Sequence, residues 1–220
     1  PGALFCAVQG SQADGHRFID DAIKRGAAAL LVSGASPPPG GRGDRGEIAT
    51  VQVRDGRVAV AIAAAEWHGR PADGLTIVGV TGTNGKSTTV ALIRHLIADG
   101  NDTGSIGTVG AFDGRGDEMA EGGGLTTPGA VELQAMLAEL KRRGVGKVVM
   151  EASSHALDQR RLAGASLAAG VYTNLTHDHL DYHGDLSAYL AAKLLLSALI
   201  RDGGVEVLNL DDRAWNALDR

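Results

Sequence analysis

The chain has 220 residues, 44% hydrophobic and 21% charged, with a formal net charge of −5, an ordinary globular composition that suits one large domain or two smaller ones. The acidic balance argues against general nucleic-acid binding, no apolar run approaches a membrane span, and no charged-then-apolar signal segment opens the sequence. The single cysteine, Cys6, has no internal disulfide partner, which favours a cytoplasmic setting and a buried, inert thiol. Residues 4–8 read as a short strand that runs into the turn Gly10-Ser11-Gln12-Ala13-Asp14-Gly15. Phe18, Ile19, Ala22 and Ile23 recur at helical spacing and Gly26 stops them, residues 27–32 make a second strand, and residues 48–53 a further one. Between these, residues 33–46 are rich in Pro and Gly and read as a surface loop. A helix is expected over 58–67. The run Gly69-Arg70-Pro71-Ala72-Asp73-Gly74 is the best linker in the chain, which divides it into 1–70 and 71–220.

Beyond the linker, strand and helix signals alternate, as in a parallel sheet with crossover helices, so the fold class is α/β. Strands are expected over 75–80, 106–109, 147–150, 168–172 and 205–208, with helices over 87–98, from Pro128 to Gly144, and over 186–200. The chain then stops without closing the sheet or ending on a docking helix, and it looks cut at both ends.

The stretch Val80-Thr81-Gly82-Thr83-Asn84-Gly85-Lys86-Ser87-Thr88-Thr89 joins the first of these strands to the first helix. Strand, glycine-rich turn, Lys-Ser, helix is the arrangement that cradles a nucleotide triphosphate, because inward N–H groups and the helix N-terminus meet phosphate oxygens. Lys86 would reach the β/γ-phosphates, and the Ser87 hydroxyl would ligate Mg²⁺. The general pattern wants glycine where Val80 stands, so the loop is the variant G-x-x-G-K-S. Glu151 stands at the carboxyl end of a strand, where open α/β sheets bind ligands and where a carboxylate partners Mg²⁺; a solvated strand-end acid is the plainer alternative. Ser153-Ser154-His155 lacks the nucleophile elbow and reads as substrate-binding. The run Thr173 to Gly184 holds three histidines and two aspartates within seven residues; it misses the dinuclear zinc pattern by one residue and better suits a loop giving one histidine to Mg²⁺. A mid-helix lysine such as Lys193 is ordinarily on the surface, and Thr126-Thr127-Pro128 is on spacing alone a helix entry.

Taken together, Gly82-Thr83-Asn84-Gly85-Lys86-Ser87, Thr126-Thr127-Pro128, Met150 to Leu157, Thr173-Asn174-Leu175, Asp178 to Gly184 and Ala192-Lys193 resemble the Mur ligases in order and spacing. The resemblance is strongest to members that add the third amino acid to UDP-MurNAc-L-Ala-D-Glu in peptidoglycan synthesis. It implies an N-terminal UDP-sugar-binding domain, with its start missing, followed by an incomplete central ATPase domain. It also implies that ATP phosphorylates the D-Glu γ-carboxylate and that an amine then displaces phosphate from the acyl phosphate. Thr81, Gly82, Thr83, Asn84, Gly85, Lys86 and Ser87 would hold ATP. Ser87, Glu151, His179 and Lys193 would serve Mg²⁺, Lys193 once carbamylated, and Lys86, Glu151, His179 and Lys193 would be catalytic. Thr126, Thr127, Ser153, Gln159 and Arg161 would hold the muramoyl peptide, and Ser11, Gln12 and Ala13 its uridine diphosphate. Leu125 stands where some members carry Asn. The third domain, which binds the incoming amino acid, is not represented, so these 220 residues alone are not expected to complete the ligation. The amine is expected to be meso-2,6-diaminopimelate, with L-lysine as the alternative, and the enzyme a monomer. The rival readings are another Mur ligase, folylpolyglutamate synthetase, or a non-catalytic ATP-binding module.

Overall fold

The computed structural model describes residues 1–10, 13–34, 42–43, 46–119 and 124–218, and among them no helix is long and apolar enough to cross a membrane. The chain forms two compact units, Pro1–Val60 and Ala61–Arg220.

The first unit is a three-stranded parallel sheet. Strands β1 (Leu4–Ala7), β2 (Ala29–Ser33) and β5 (Ala49–Val53) pair in the order β1-β2-β5. Helix α1 (Ile19–Lys24) forms the crossover between the first two, and a short antiparallel pair, β3 (Arg42–Gly43) and β4 (Gly46–Glu47), precedes the third. Its core is small and aliphatic, Ala7, Ile19, Leu30 and Val32, with Phe5, Ile23, Ala27 and Ile48 packed against it. The Pro-rich run 37–41 lies outside the described residues.

The division between units falls inside helix α2 (Gly56–Trp67), ten residues before the expected division at 70/71. The second half of that helix belongs to the second unit: Ala61, Ala64 and Ala65 are buried, and a Cβ on Gly164 would press on the Ala61 carbonyl and the Ala65 side chain. The linker itself is packed. Pro71–Gly74 form a 3-10 turn with Pro71 and Ala72 buried, because the Pro and Ala side chains are apolar enough to join the core that begins there.

The second unit is a six-stranded sheet in the order β11-β10-β6-β9-β7-β8, built from β6 (Thr76–Thr81), β7 (Thr103–Gly107), β8 (Gly110–Phe112), β9 (Lys147–Glu151), β10 (Leu167–Tyr172) and β11 (Ile200–Leu208). All pairings are parallel except β7 with β8. The chain steps from β6 past a vacant place to β7, returns to fill it with β9, then crosses to the far side of β6 as β10. The carboxyl ends of β6, β9 and β10 therefore meet at the switch point where such sheets bind ligands. Helices α3 (Lys86–Ile97) and α4 (Ala130–Arg142) make the crossovers. Ile77, Leu133, Leu137, Leu140, Val148 and Met150 are wholly buried in the main core.

Three expectations are corrected. Thr108 and Val109 are not strand; Gly107 pairs with Gly110, so they form a two-residue hairpin turn, which Gly110 at φ +132° accommodates. The helix expected to reach residue 200 is α7 (Leu186–Leu194), and a 3-10 turn at Ser197–Leu199 brings Ile200 into register with Leu167 on β10. Finally, Arg213–Ala217 form a docked 3-10 turn: Trp215 is buried with its ring 5.3 Å from that of Tyr172.

Candidate active site

The loop between β6 and α3 is held by contacts remote in sequence. Gly82 and Gly85 take φ +147° and +82°, conformations that cost a side-chain-bearing residue far more than glycine. At Gly82 space is also lacking, since a Cβ would collide with Thr173 Oγ1. Thr83 N–H donates to the Asn174 carbonyl (2.7 Å) and Asn84 N–H to Asn174 Oδ1 (2.9 Å). Thr173 Oγ1 and Asn174 Nδ2 return bonds to the Asn84 carbonyl at 2.7 and 3.1 Å. Thr83 Oγ1 is a hub: it donates to the Thr176 carbonyl and accepts from Thr176 N–H and from the Tyr189 hydroxyl. The loop thus stands rigidly against the segment that leaves β10.

Two lysines converge on one carbonyl. Lys86 Nζ donates to Gly82 O (3.1 Å) and Thr83 O (2.8 Å), and Lys193 Nζ reaches the same Gly82 O at 2.7 Å. Lys193, expected on the surface by spacing alone, is 1% exposed, because α7 turns this face inward beneath the loop; its ammonium sits 4.3 Å from the Tyr189 ring centroid. Burial, then repulsion from Lys86, pulls the Lys193 ammonium down to about 7 against the attraction of Asp178. Burial also lowers Lys86, with Glu151 and Asp178 opposing.

Beside the loop, Glu151 is 1% exposed at the end of β9. Its Oε1 accepts from Ser87 Oγ and Thr108 N–H, both at 2.8 Å, and Oε2 from Thr108 Oγ1 at 3.2 Å. It is therefore a held carboxylate, not a solvated strand-end acid. Thr126 Oγ1 bonds Thr108 Oγ1 (3.0 Å). Thr127 Oγ1 donates to the Glu151 carbonyl and accepts from Ser153 N–H, while Ser153 Oγ caps helix α5 (Ser154–Asp158) at Ala156 N–H. Arg161 follows Arg160, whose φ of +58° turns the chain back, and its guanidinium donates to the Thr127 carbonyl and twice to Gln159 Oε1.

His179 stands at φ +52° as the N-cap of the short helix α6 (Leu180–His183). Its ring lies 4.7 Å from that of His155 and 6.2 Å from that of Tyr189, and Nε2 is 3.5 Å from Asp178 Oδ2. The rings of His155 and His183 are 5.5 Å apart, His183 Nε2 bonds Ser154 Oγ, and burial lowers the basicity of both. Among the described residues, no group of three His, Cys, Asp or Glu side chains is arranged to hold a metal ion. The expected ligands thus fall into a bonded pair, Ser87 with Glu151, and two separate contributors, His179 and Lys193. In the first unit, Ser11 and Gln12 lie outside the described residues; Ala13 is exposed, its carbonyl accepting from Gly10 N–H (2.9 Å) in a turn closed by the Gln9–Asp14 bridge.

Sequence reasoning missed Thr108, Asn209 and Asp212. Asn209 Nδ2 donates to the Thr173 carbonyl, and Asp212 Oδ2 accepts from Leu175 N–H. Both brace the loop that braces Gly82–Asn84. The glycines flanking Thr108-Val109 were the available signal for the first.

A strand, glycine loop and helix at the switch point of a parallel sheet define the class: an α/β protein of the phosphate-binding-loop type. Residues 80–220 match the Mur ligase middle domain, and residues 1–68 match the Mur ligase family, catalytic domain. The chain belongs to the Mur ligase family. It is 39% identical over 218 residues to a protein of Agrobacterium fabrum named UDP-N-acetylmuramoyl-L-alanyl-D-glutamate--2,6-diaminopimelate ligase, covering 98% of this chain and 42% of that one. A Rhizobium meliloti protein of the same name is 43% identical over 220 residues, with coverage of 99% and 43%. A solved structure of a ligase so named superposes over 100% of this chain and 43% of its own, with TM-score 0.76 and 28% identity. The chain spans little more than two fifths of the length of the relatives it matches.

Proposed function

We propose that this chain is the nucleotide- and muramoyl-peptide-binding part of an ATP-dependent ligase that adds meso-2,6-diaminopimelate to UDP-MurNAc-L-Ala-D-Glu in the cytoplasm. The observation that carries the reading is the convergence of Lys86 and Lys193 on the Gly82 carbonyl beside a Ser87–Glu151 pair. A lysine in the loop with a hydroxyl–carboxylate pair beside it suits a polyphosphate and its counterion, and Lys193 beneath the same carbonyl stands where it could join the counterion's ligands once carbamylated. The names of the relatives favour diaminopimelate over L-lysine as the amine.

In this reading Thr81 to Ser87 wrap the ATP phosphates, and Lys86 leaves its loop carbonyls to meet the transferred group. Ser87 and Glu151 offer the hard oxygen donors that Mg²⁺ takes, usually few per protein site, with His179 and carbamylated Lys193 as the further ligands. Mg²⁺ held there would supply neutralising charge for the phosphates. Burial pulls the Lys193 ammonium down to about 7, which makes the neutral amine available near neutral pH, and only the neutral amine adds to CO₂, losing a proton from nitrogen as the carbamate forms. Gln159 and Arg161, with Thr126, Thr127 and Ser153, orient the muramoyl peptide, and Ser11, Gln12 and Ala13 meet the uridine diphosphate. The substrate γ-carboxylate oxygen attacks the γ-phosphorus and ADP leaves. The amine then adds to the acyl carbon, and phosphate departs as the amide forms. Lys86 offsets the negative charge that crowds at the first step.

The test is phosphate release by the full-length enzyme with ATP, UDP-MurNAc-L-Ala-D-Glu and meso-diaminopimelate. Release should require all three, and Lys86→Ala should lower kcat by about 100-fold or more. Release that ignores the muramoyl substrate, or a fully active Lys86→Ala enzyme, sinks the reading.

A further inference from the structure

Arg161 and Gln159 belong to a chain of hydrogen bonds whose direction is fixed from its far end. Asp158 Oδ2 accepts from the Tyr182 hydroxyl at 2.7 Å, and the same hydroxyl accepts from Gln159 Nε2 at 3.2 Å. A phenol has one proton to give. With that proton on the Asp158 carboxylate, the hydroxyl can only accept from Gln159. Gln159 must therefore turn its NH₂ toward Tyr182 and its Oε1 the other way, where Arg161 Nε and Nη2 fork onto it at 3.0 and 2.7 Å. Arg161 Nη1 completes the arrangement on the Thr127 carbonyl at 2.9 Å. Arg161, which can only donate, holds the Oε1 end of the amide, and Tyr182, itself held by Asp158, holds the NH₂ end; without Tyr182 and Asp158 that second anchor is lost.

The elements that carry these groups are distant in sequence. Asp158 ends α5, Gln159 is its C-cap, and Tyr182 stands on α6. The Tyr182 ring is fixed between those of His155 and His183, at 4.2 and 4.8 Å, so the hydroxyl is presented at one place. We propose that Tyr182, acting with Asp158, is a positioning residue: it anchors the NH₂ end of the Gln159 amide and through it steadies the aim of the Arg161 guanidinium at the anionic peptide part of the substrate. The inference rests on the reading that Gln159 and Arg161 hold the muramoyl peptide.

The experiment is steady-state kinetics of the full-length ligase with Tyr182→Phe, Asp158→Ala and Asp158→Asn, with Arg161→Ala as a reference and thermal unfolding of each. Tyr182→Phe and Asp158→Ala should raise KM for UDP-MurNAc-L-Ala-D-Glu about tenfold, with KM for ATP within about twofold and kcat little changed. Asp158→Asn keeps an oxygen to accept the phenol proton and should restore the wild-type KM. An unchanged KM for the muramoyl substrate in both loss variants overturns the inference. So does a parallel rise in both KM values with a lowered Tm, which is the mark of a merely structural role. If Arg161→Ala leaves that KM unchanged, the underlying reading of Arg161 has failed instead. Should Tyr182→Phe fail to fold, the Asp158 pair carries the same decision.

Discussion

The loop at residues 81–87 and the turn at residues 9–15 are both glycine-bearing bends after a parallel strand, yet they are held in opposite ways. The turn is closed by its own neighbours: Gly10 N–H on the Ala13 carbonyl, Gly15 N–H on the Val8 carbonyl, and His16 N–H on Asp14 Oδ1. The loop is closed from residues about 90 to 110 positions away, Thr173, Asn174, Thr176 and Lys193. Local closure needs only the right turn chemistry. Remote closure needs the whole sheet in register first, so the loop geometry is a property of the folded second unit and not of its own sequence.

The comparison breaks most visibly at Gly82. Gly82→Ala forces φ +147° on alanine and drives a Cβ into Thr173, so it should abolish measurable ATP turnover. It should also destabilise the second unit by about 2–4 kcal/mol, read from urea unfolding; a stable, active variant defeats the claim of remote closure. A smaller effect is expected at Lys193. Unfolded, this lysine keeps its proton to about 10.5, and folded only to about 7. Between those values the unfolded state binds more protons, so stability should rise with pH, by up to about 1.4 kcal/mol per unit. Below 7 the cost of burying the amine is fully present. Lys193→Met should remove this slope and be the more stable protein at pH 7, while losing turnover. Urea midpoints at pH 7, 8 and 9 decide it, since equal slopes in both proteins exclude the assignment. The smallest effect belongs to the turn. The His16 hydrogen bond holds the Asp14 carboxyl below the usual carboxylate range, but the group is at the surface. Asp14→Ala should lower only the first unit's stability, modestly, and leave KM for ATP unchanged. A change in ATP kinetics there would show that the two regions are not independent.

The same contrast explains what the sequence disclosed. Gly82, Gly85, Lys86 and Ser87 are adjacent, so their chemistry is readable as a string, and Glu151 is readable because an acid at a strand end sits at the ligand edge of any such sheet. The strand alternation likewise exposed the α/β class and most elements. Lys193 gave no local sign of burial, since its partner Gly82 lies 111 residues back; only the family resemblance singled it out. Helix α7 ends short of residue 200 although the Leu- and Ala-rich run from Leu190 to Leu199 favours helix throughout, because pairing with β10 makes Ile200 strand. Thr108 escaped for a similar reason: it serves Glu151 across 43 residues.

Gly107, the last residue of β7 before the hairpin turn, carries a consequence for inheritance. A Cβ there would strike the Glu151 carboxylate, which cannot swing aside without giving up Ser87 and Thr108. Any lineage that acquires a side chain at residue 107 must therefore rebuild Glu151 in the same step or lose it. The three-atom deletion that makes glycine is, at this position, as binding on descent as the acid itself.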